Sequence, residues 1–228
     1  MKAILFDMDG VLVANSDFHV KAWIAFAREY GRELTEEEIK RRLGFNNREY
    51  MRFVLSRDPT ELEVRDATER KEALYREIYA PFIQVPPGLL VLLQAFQRAD
   101  IACAVATSAP SANVDFVLDG LGIRPYFKEV VDASQVTRGK PDPEIYLTAA
   151  AKLGAEPASC LVFEDAIAGI QSGQGAGMKV IALTTSYPAT VLQEHHPDAI
   201  IDAFTDLQNP GSALAVLRET VGQDFSVF

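Results

Sequence analysis

Cysteine is scarce in this sequence: 228 residues contain only Cys103 and Cys160, and each lies in an apolar run. Two isolated cysteines without metal-ligand spacing argue against a disulfide scaffold and a cysteine-based zinc site, and they indicate reduced core residues. The start of the sequence has one lysine and a short apolar run before an acidic stretch, which resembles neither a signal peptide nor a membrane span. We therefore expect a protein of the reducing cytoplasm.

Positive charge is also in the minority, with 22 Lys and Arg residues against 32 Asp and Glu residues and a net charge of -10. A uniformly anionic surface repels nucleic acid and acidic membranes, so we expect neither as a partner. An anionic small molecule would need a local cationic pocket or a metal. The sequence lacks a long low-complexity tract, and its 48% hydrophobic content suffices for one substantial core with a smaller insert.

Short apolar runs alternate with amphipathic helical patterns over most of the chain. This alternation predicts an α/β fold, in which a doubly wound parallel sheet is covered by helices on both faces. One helix is predicted to start with Asp142 as its N-cap and Pro143 at its first position. The predicted strands are 3–6, 101–106, 129–131, 160–163, 179–183 and a weaker 199–201.

One stretch, 16–82, breaks the alternation because it contains helical patterns and no convincing strand. It includes an apolar stripe around Trp23, a predicted turn at 44–47 and a long charged helix at 60–79. We therefore predict a helical domain at 16–82, inserted into a core domain made of 1–15 and 83–228. Such an insert is well placed to act as a lid over strand ends, where ligands of open parallel sheets bind.

The segment 7–11, DMDGV, follows the first predicted strand. Asp7 and Asp9 are two residues apart, so their side chains would project in the same direction from a strand. Two crowded carboxylates are unfavourable unless a cation or a shared proton compensates. The pair is therefore a candidate phosphoryl-transfer site, with one carboxylate as nucleophile and one as acid/base beside a divalent metal. A polar turn is the alternative, because Asp-Gly is common in turns.

Three further segments carry complementary chemistry. Thr107 and Ser108 follow the second predicted strand and could cradle a phosphate or simply cap a helix. Lys140 precedes a proline-stiffened helix start and could offset phosphate charge, or it could be a solvated surface lysine. Glu164 and Asp165 follow the fourth predicted strand and suit Mg²⁺, although acids also favour helix starts.

Taken together and in this order, these segments resemble the four motifs of the haloacid dehalogenase superfamily. The similarity is greatest to the branch of phosphatases and beta-phosphoglucomutases that has a helical cap after the first strand. The matching segments are DMDGV at 7–11, Thr107, KPDP at 140–143 and FED at 163–165. The resemblance covers essentially the whole chain. It implies a Rossmann-like core, a small phosphate ester as substrate and Mg²⁺ as cofactor.

The resemblance also implies roles for single residues. Asp7 would be the nucleophile and Asp9 the acid/base, with Thr107 and Lys140 completing the catalytic set. Mg²⁺ would be held by Asp7, Asp165 and the backbone carbonyl of Asp9, with Glu164 close to the ion or bound to it. Dehalogenase chemistry is disfavoured, because dehalogenase members lack the second acid that Asp9 provides.

The resemblance leaves the substrate and the fate of the phosphoryl group open. His19, Arg48 and Lys71 are similar to cap residues of beta-phosphoglucomutases, so they are candidate substrate contacts, with packing as the alternative. Ala14-Asn15 stands where the family usually has Asp-Thr or Asp-Ser, and Arg48 is followed by EYMR instead of Ser-Leu-Gln. We expect a monomeric phosphatase acting on small phosphate esters, in particular sugar phosphates. A sugar phosphomutase and a catalytically silent phospho-ligand-binding protein are the alternatives.

Overall fold

The computed structural model describes residues 2–42, 47–209 and 211–227. The chain divides into two compact units. The first, here termed the sheet unit, consists of Met1–Ala14 and Gln84–Phe228, and the second, the helical unit, consists of Asn15–Ile83. In the described parts of the chain, we find no helix that combines the length and apolar character needed to cross a membrane.

The sheet unit contains one six-stranded parallel sheet with the strand order β3-β2-β1-β4-β5-β6. This sheet, with its helices, confirms the predicted α/β doubly wound class. The fourth strand is one residue longer than predicted, because Glu164 pairs with Ala182 and continues the ladder. The strands are β1 Ala3–Phe6, β2 Ala102–Ala106, β3 Glu129–Val131, β4 Cys160–Glu164, β5 Lys179–Leu183 and β6 Ala199–Ile201.

The described residues of the helical unit include four α-helices and no strand, as the sequence predicts. Thr60 and Glu63 form a capping box that starts the longest helix, because each side chain accepts a hydrogen bond from the other residue's backbone N–H. Of the predicted turn at 44–47, residues 44–46 lie outside the described residues. The helices are α1 Ser16–Glu29, α2 Glu36–Lys40, α3 Asn47–Leu55 and α4 Glu61–Tyr79.

Six further α-helices lie in the described part of the sheet unit. One of them corrects the predicted helix start at Asp142 and Pro143, because the helix begins at Glu144. Pro143 has no N–H, so Asp142 Oδ1 instead accepts a hydrogen bond from the N–H of Glu144 at 3.0 Å. The helices are α5 Leu89–Arg98, α6 Ser111–Gly120, α7 Glu144–Leu153, α8 Ile167–Gly175, α9 Ala189–Gln193 and α10 Ser212–Val221.

The core of the sheet unit lies against both faces of the central strands. Every residue of β1, β2 and β4 is buried, as expected for the middle of a parallel sheet covered on both sides. On one face, Phe6 and Phe163 are register partners whose rings stack at 5.0 Å. On the other, small side chains such as Ala104 pack in one cluster with Tyr146 of α7. Cys103 and Cys160 are buried free thiols in these strands.

Candidate active site

The carboxyl ends of β1, β2 and β4 lie side by side, because the three strands are parallel neighbours. The residue after β1, Asp7, donates its backbone N–H to the carbonyl of Phe163 at 3.0 Å and so stays next to β4. Thr107 follows β2 and donates its N–H to the carbonyl of Val131 at 2.9 Å. Motifs far apart in the sequence therefore meet at one edge of the sheet, where ligands of such sheets bind.

Three carboxylates gather at this edge: Asp7, Glu164 and Asp165 each place one oxygen within 4.8 Å of the others, and all three residues are buried. Burial raises the pKa of Asp7 well above its usual value; Lys140 opposes this rise, whereas Glu164 and Asp165 add to it. Burial and Glu164 likewise raise the pKa of Asp165 to about 7. A buried cluster of carboxylate oxygens needs positive charge, and oxygen ligands are those that Mg²⁺ prefers.

Lys140 supplies one positive charge to the cluster. Its Nζ donates to Asp7 Oδ1 at 2.6 Å, to Glu164 Oε1 at 2.7 Å and to the carbonyl of Ala106 at 3.2 Å, so each of its three N–H bonds has an acceptor. Burial by itself would lower the pKa of Lys140, but the two carboxylates raise it above its usual value. The side chain is 9% exposed, so Lys140 is not a solvated surface lysine.

Glu164 is held by hydrogen bonds on both of its oxygens. Oε1 accepts from Lys140 and from the hydroxyl of Tyr146 at 2.8 Å, and Oε2 accepts from the backbone N–H groups of Asp165 and Ala166. A Cβ on Gly169 would lie 1.7 Å from Oε1, so only glycine at that position of α8 leaves room for this carboxylate. Glu164 is therefore a fixed acceptor that orients Lys140 towards Asp7.

Asp165 is held by hydroxyl groups of the loop after β5. Its Oδ2 accepts from Ser186 Oγ and lies 3.2 Å from Thr185 Oγ1. Thr185 Oγ1 also donates to the carbonyl of Gly10 at 2.6 Å. Gly10 has φ +79°, and a Cβ there would lie 1.8 Å from Asp165 Oδ2. A side chain at position 10 would therefore collide with Asp165 as well as strain the backbone.

Asp9 lies on a tight turn after β1 and is half-buried. The N–H of Gly10 donates to the carbonyl of Val13 at 2.8 Å, and Asp9 and Val13 form an isolated β-bridge. This turn places Asp9 two residues beyond Asp7 on the same segment. The acid/base role of Asp9, and the use of its carbonyl as a metal ligand, stay predictions.

Thr107 and Ser108 lie in the loop between β2 and α6. Since α6 begins at Ser111 after Pro110, neither residue caps that helix; instead, Thr107 Oγ1 accepts from the N–H of Ala109 at 3.1 Å. Thr107 is buried and Ser108 is exposed. A phosphate cradle at this loop stays a prediction.

Sequence reasoning missed a buried residue that binds the start of α6, directly after this loop. Asp132 Oδ2 accepts from Ser111 Oγ at 2.5 Å, and Oδ1 accepts from the N–H of Ser134 at 2.9 Å. Burial opposes ionisation, but these hydrogen bonds hold the pKa of Asp132 below its usual value. The signal was present, because Asp132 directly follows the predicted strand 129–131, as Asp7 follows the first strand.

The helical unit holds the three remaining candidates. Lys71 is buried, and its Nζ lies 2.8 Å from both His19 Nδ1 and Glu72 Oε1. Arg48 donates to the carbonyl of Pro59 at 2.8 Å and forms an ion pair with Glu61. The structure thus brings His19 and Lys71 together and places Arg48 against other partners. Contact of these three side chains with a substrate stays a prediction.

Comparison with known proteins gives a consistent result. The family model described as a haloacid dehalogenase-like hydrolase matches residues 1–177. A phosphorylated carbohydrates phosphatase of Thermotoga maritima is 32% identical over 185 residues, which cover 79% of this chain and 84% of the relative. The beta-phosphoglucomutase of Bacillus subtilis is 32% identical over 196 residues, 82% of this chain and 85% of the relative.

Solved structures include similar folds. A haloacid dehalogenase hydrolase of family IA, variant 3, from Entamoeba histolytica superposes with a TM-score of 0.87 at 27% sequence identity. The similarity covers 98% of each chain. The whole chain, and not only its sheet unit, therefore has a counterpart in a solved hydrolase.

Proposed function

The chain belongs to the haloacid dehalogenase-like hydrolase family, and on that premise we propose that it is a Mg²⁺-dependent phosphatase of small phosphate esters, in particular sugar phosphates. The observation that carries the proposal is the bridge formed by Lys140 between Asp7 and Glu164, with Asp165 in the same buried cluster. A relative with phosphatase activity on phosphorylated carbohydrates, by its name, supports the substrate class.

The donor set fits Mg²⁺, because the clustered side chains offer only oxygen atoms and carry more negative charge than Lys140 can balance. Asp7, Asp165 and the backbone carbonyl of Asp9 would hold the ion, with Glu164 beside it. The chemistry that Mg²⁺ supplies when bound is polarisation of phosphoryl oxygens and neutralisation of the carboxylates. Since both oxygens of Glu164 already accept hydrogen bonds, we assign this residue chiefly to orienting Lys140.

Two steps complete the hydrolysis. In the first, a carboxylate oxygen of Asp7 attacks phosphorus, the bond from phosphorus to the ester oxygen breaks, and Asp9 gives its proton to the leaving alcohol. In the second, Asp9 takes a proton from water, whose oxygen attacks phosphorus and releases inorganic phosphate and the Asp7 carboxylate. Lys140 stays protonated throughout and stabilises the negative charge near Asp7.

We propose that the helical unit, predicted at 16–82, acts as the cap that selects the ester. His19 and Lys71 are proposed substrate contacts because they are similar to cap residues of beta-phosphoglucomutases. Lys71 Nζ already lies 2.8 Å from both His19 Nδ1 and Glu72 Oε1, so a sugar hydroxyl would have to replace one of these partners. A sugar phosphomutase is the second candidate, favoured by the beta-phosphoglucomutase relative. The partners of Arg48, the Pro59 carbonyl and Glu61, argue against a free guanidinium ready to grip a second phosphate.

The experiment is incubation with Mg²⁺ and a panel of phosphate esters that includes beta-glucose 1-phosphate, with EDTA and Asp7→Asn as controls. Release of inorganic phosphate that needs both Mg²⁺ and Asp7 supports the phosphatase. Conversion to glucose 6-phosphate without net release supports the mutase instead. Ligand binding without turnover of any ester overturns both and leaves a silent binding protein.

A further inference from the structure

A fifth segment reaches the candidate site from a strand that carries none of the four motifs. β5 lies beside β4 with Ala182 opposite Glu164, so the loop that follows Leu183 emerges at the same edge of the sheet. This loop carries consecutive hydroxyl residues, Thr184, Thr185 and Ser186. Two of them turn towards the carboxylate cluster.

The hydroxyl groups of Ser186 and Thr185 donate to two different acceptors. Each hydroxyl carries one hydrogen, and the hydroxyl of Thr185 lies nearer the carbonyl of Gly10, at 2.6 Å, than Asp165 Oδ2, at 3.2 Å. Thr185 therefore donates to Gly10. Ser186 Oγ is then the hydroxyl that donates to Asp165 Oδ2.

These bonds constrain a carboxylate that would otherwise turn easily. The terminal torsion of an aspartate is broad, so packing alone sets its oxygens only loosely. Asp165 is 3% exposed, and a buried carboxylate needs donors to compensate for lost water. A donor fixed on Oδ2 leaves Oδ1 oriented and available to a cation. The Thr185 bond adds a second constraint by fixing the backbone directly after Asp9.

Thr184 provides a natural contrast within the same loop. Its Oγ1 donates to Asp202 Oδ1 at 2.6 Å, a carboxylate that lies outside the cluster. Proximity in sequence is therefore not what connects the loop to the site. The connection is made by Thr185 and Ser186 alone among these three hydroxyls.

We propose that Ser186 and Thr185 are positioning residues for the metal site, Ser186 by orienting the carboxylate of Asp165 and Thr185 by fixing the carbonyl of Gly10. The inference rests on the proposed function, since it takes Asp165 as a metal ligand. Mutation of partners that orient metal ligands typically costs about 10–100-fold in metal affinity or in activity. Metal affinity without substrate is thus the quantity that these residues control.

The test is titration of the substrate-free protein with Mn²⁺, which shares the preference of Mg²⁺ for oxygen ligands, followed by electron paramagnetic resonance of the free ion. Ser186→Ala is expected to weaken Mn²⁺ binding by about 10–100-fold. Ser186→Thr keeps the donor and is expected to bind nearly as well as the wild type. Thr184→Val, the matched control, is expected to leave the affinity unchanged.

Thermal unfolding in EDTA separates positioning from a structural role: Ser186→Ala removes one donor from a buried carboxylate and is expected to lower the unfolding temperature by only a few degrees, and Ser186→Thr is expected to restore it. Unchanged affinity in Ser186→Ala overturns the inference. An equal loss of Mn²⁺ affinity in Thr184→Val also overturns it. The same holds if Ser186→Ala loses affinity and unfolds at a much lower temperature, and Ser186→Thr does not restore the affinity. Asp165→Asn distinguishes failure of this inference from failure of the proposed function. If Asp165→Asn binds Mn²⁺ as well as the wild type, the proposed metal site itself is wrong.

Discussion

Lys140 and Asp7 lie 133 positions apart in the chain, yet their side chains form a buried ion pair with 2.6 Å between Nζ and Oδ1. The same ammonium group reaches Glu164 at 2.7 Å. One lysine therefore faces two buried carboxylates, and its positive charge offsets part of their negative charge. This arrangement holds the carboxyl group of Asp7 against a cation.

Replacement of Lys140 tests the energetics of this bridge. In EDTA at neutral pH, we expect Lys140→Met to lower the free energy of unfolding by about 3–5 kcal/mol, because it leaves buried carboxylates without their partner. Urea denaturation measures the change. Lys179→Met is the matched control, since Lys179 pairs with Glu219 near the surface and should cost about 1 kcal/mol or less. Equal losses in the two variants would refute a special role for the buried bridge.

Replacement of Gly169 in α8 tests the space around Glu164, and Gly175 of the same helix provides the control. A Cβ on Gly169 would lie 1.7 Å from Glu164 Oε1, so Gly169→Ala must displace the carboxylate that orients Lys140. We expect kcat/KM to fall on the order of a hundredfold, as misplacement of about 1 Å does in other sites. In Gly175→Ala, the new Cβ lies at an ordinary 3.7 Å from Pro143 and should leave kcat/KM unchanged. Similar kinetics of the two variants would speak against the steric argument.

Stability should depend on pH in a direction that the pKa of Asp165 sets. Its folded-state pKa is about 7, above the ordinary 3.8, so the folded metal-free protein holds an extra proton between about pH 4 and 7. Stabilisation by that proton is complete below pH 4 and is lost as the pH rises to 7, on the order of 1 kcal/mol per pH unit. Denaturation in EDTA across this range measures it.

Mg²⁺ should reverse that trend, because a bound cation favours the ionised carboxylates and its binding releases protons. With saturating Mg²⁺, we expect stability to hold or to rise from pH 4 to 7. A metal-free protein whose stability rises steadily over the same range would contradict the raised pKa.

Much of the fold could be predicted because its signals are local. Apolar runs alternating with helical patterns indicated a parallel sheet, and each predicted strand is present with bounds that differ by at most one residue. The order of the motifs also predicted which segments meet, since carboxyl ends of parallel strands share an edge. Lys140 shows the limit of this reasoning. The sequence predicted it as a candidate cation near the phosphate, but its three hydrogen-bond acceptors depend on the register of β1, β2 and β4.

Other parts of the site depend on contacts that no local pattern encodes. The hydrogen bond from Tyr146 to Glu164 could not be predicted from the sequence, because an aromatic residue on a buried helix face usually indicates packing. Thr185 and Ser186 were missed because hydroxyl residues are common in turns. The predicted monomer, the cytoplasmic location, the lack of nucleic-acid and membrane partners, and the cap boundaries stay predictions.

Asp7→Asn tests the nucleophile. We expect turnover to fall on the order of a thousandfold or more, since the change removes the attacking group instead of adjusting it. Assay of phosphate release under saturating Mg²⁺ and substrate gives the value. Glu156→Gln, a change at an exposed acid, is the control and should retain wild-type turnover. A loss of only tenfold in Asp7→Asn would be too small for a nucleophile.

The most direct measurement locates the phosphoryl group during turnover. The protein with Mg²⁺ and a phosphate ester that it hydrolyses is quenched rapidly in acid, and its peptides are analysed by mass spectrometry. We predict a phosphoryl group on the Asp7 side chain that is absent from Asp7→Asn. A phosphoryl group on any other residue, or hydrolysis that continues at the wild-type rate in Asp7→Asn, would contradict the covalent mechanism.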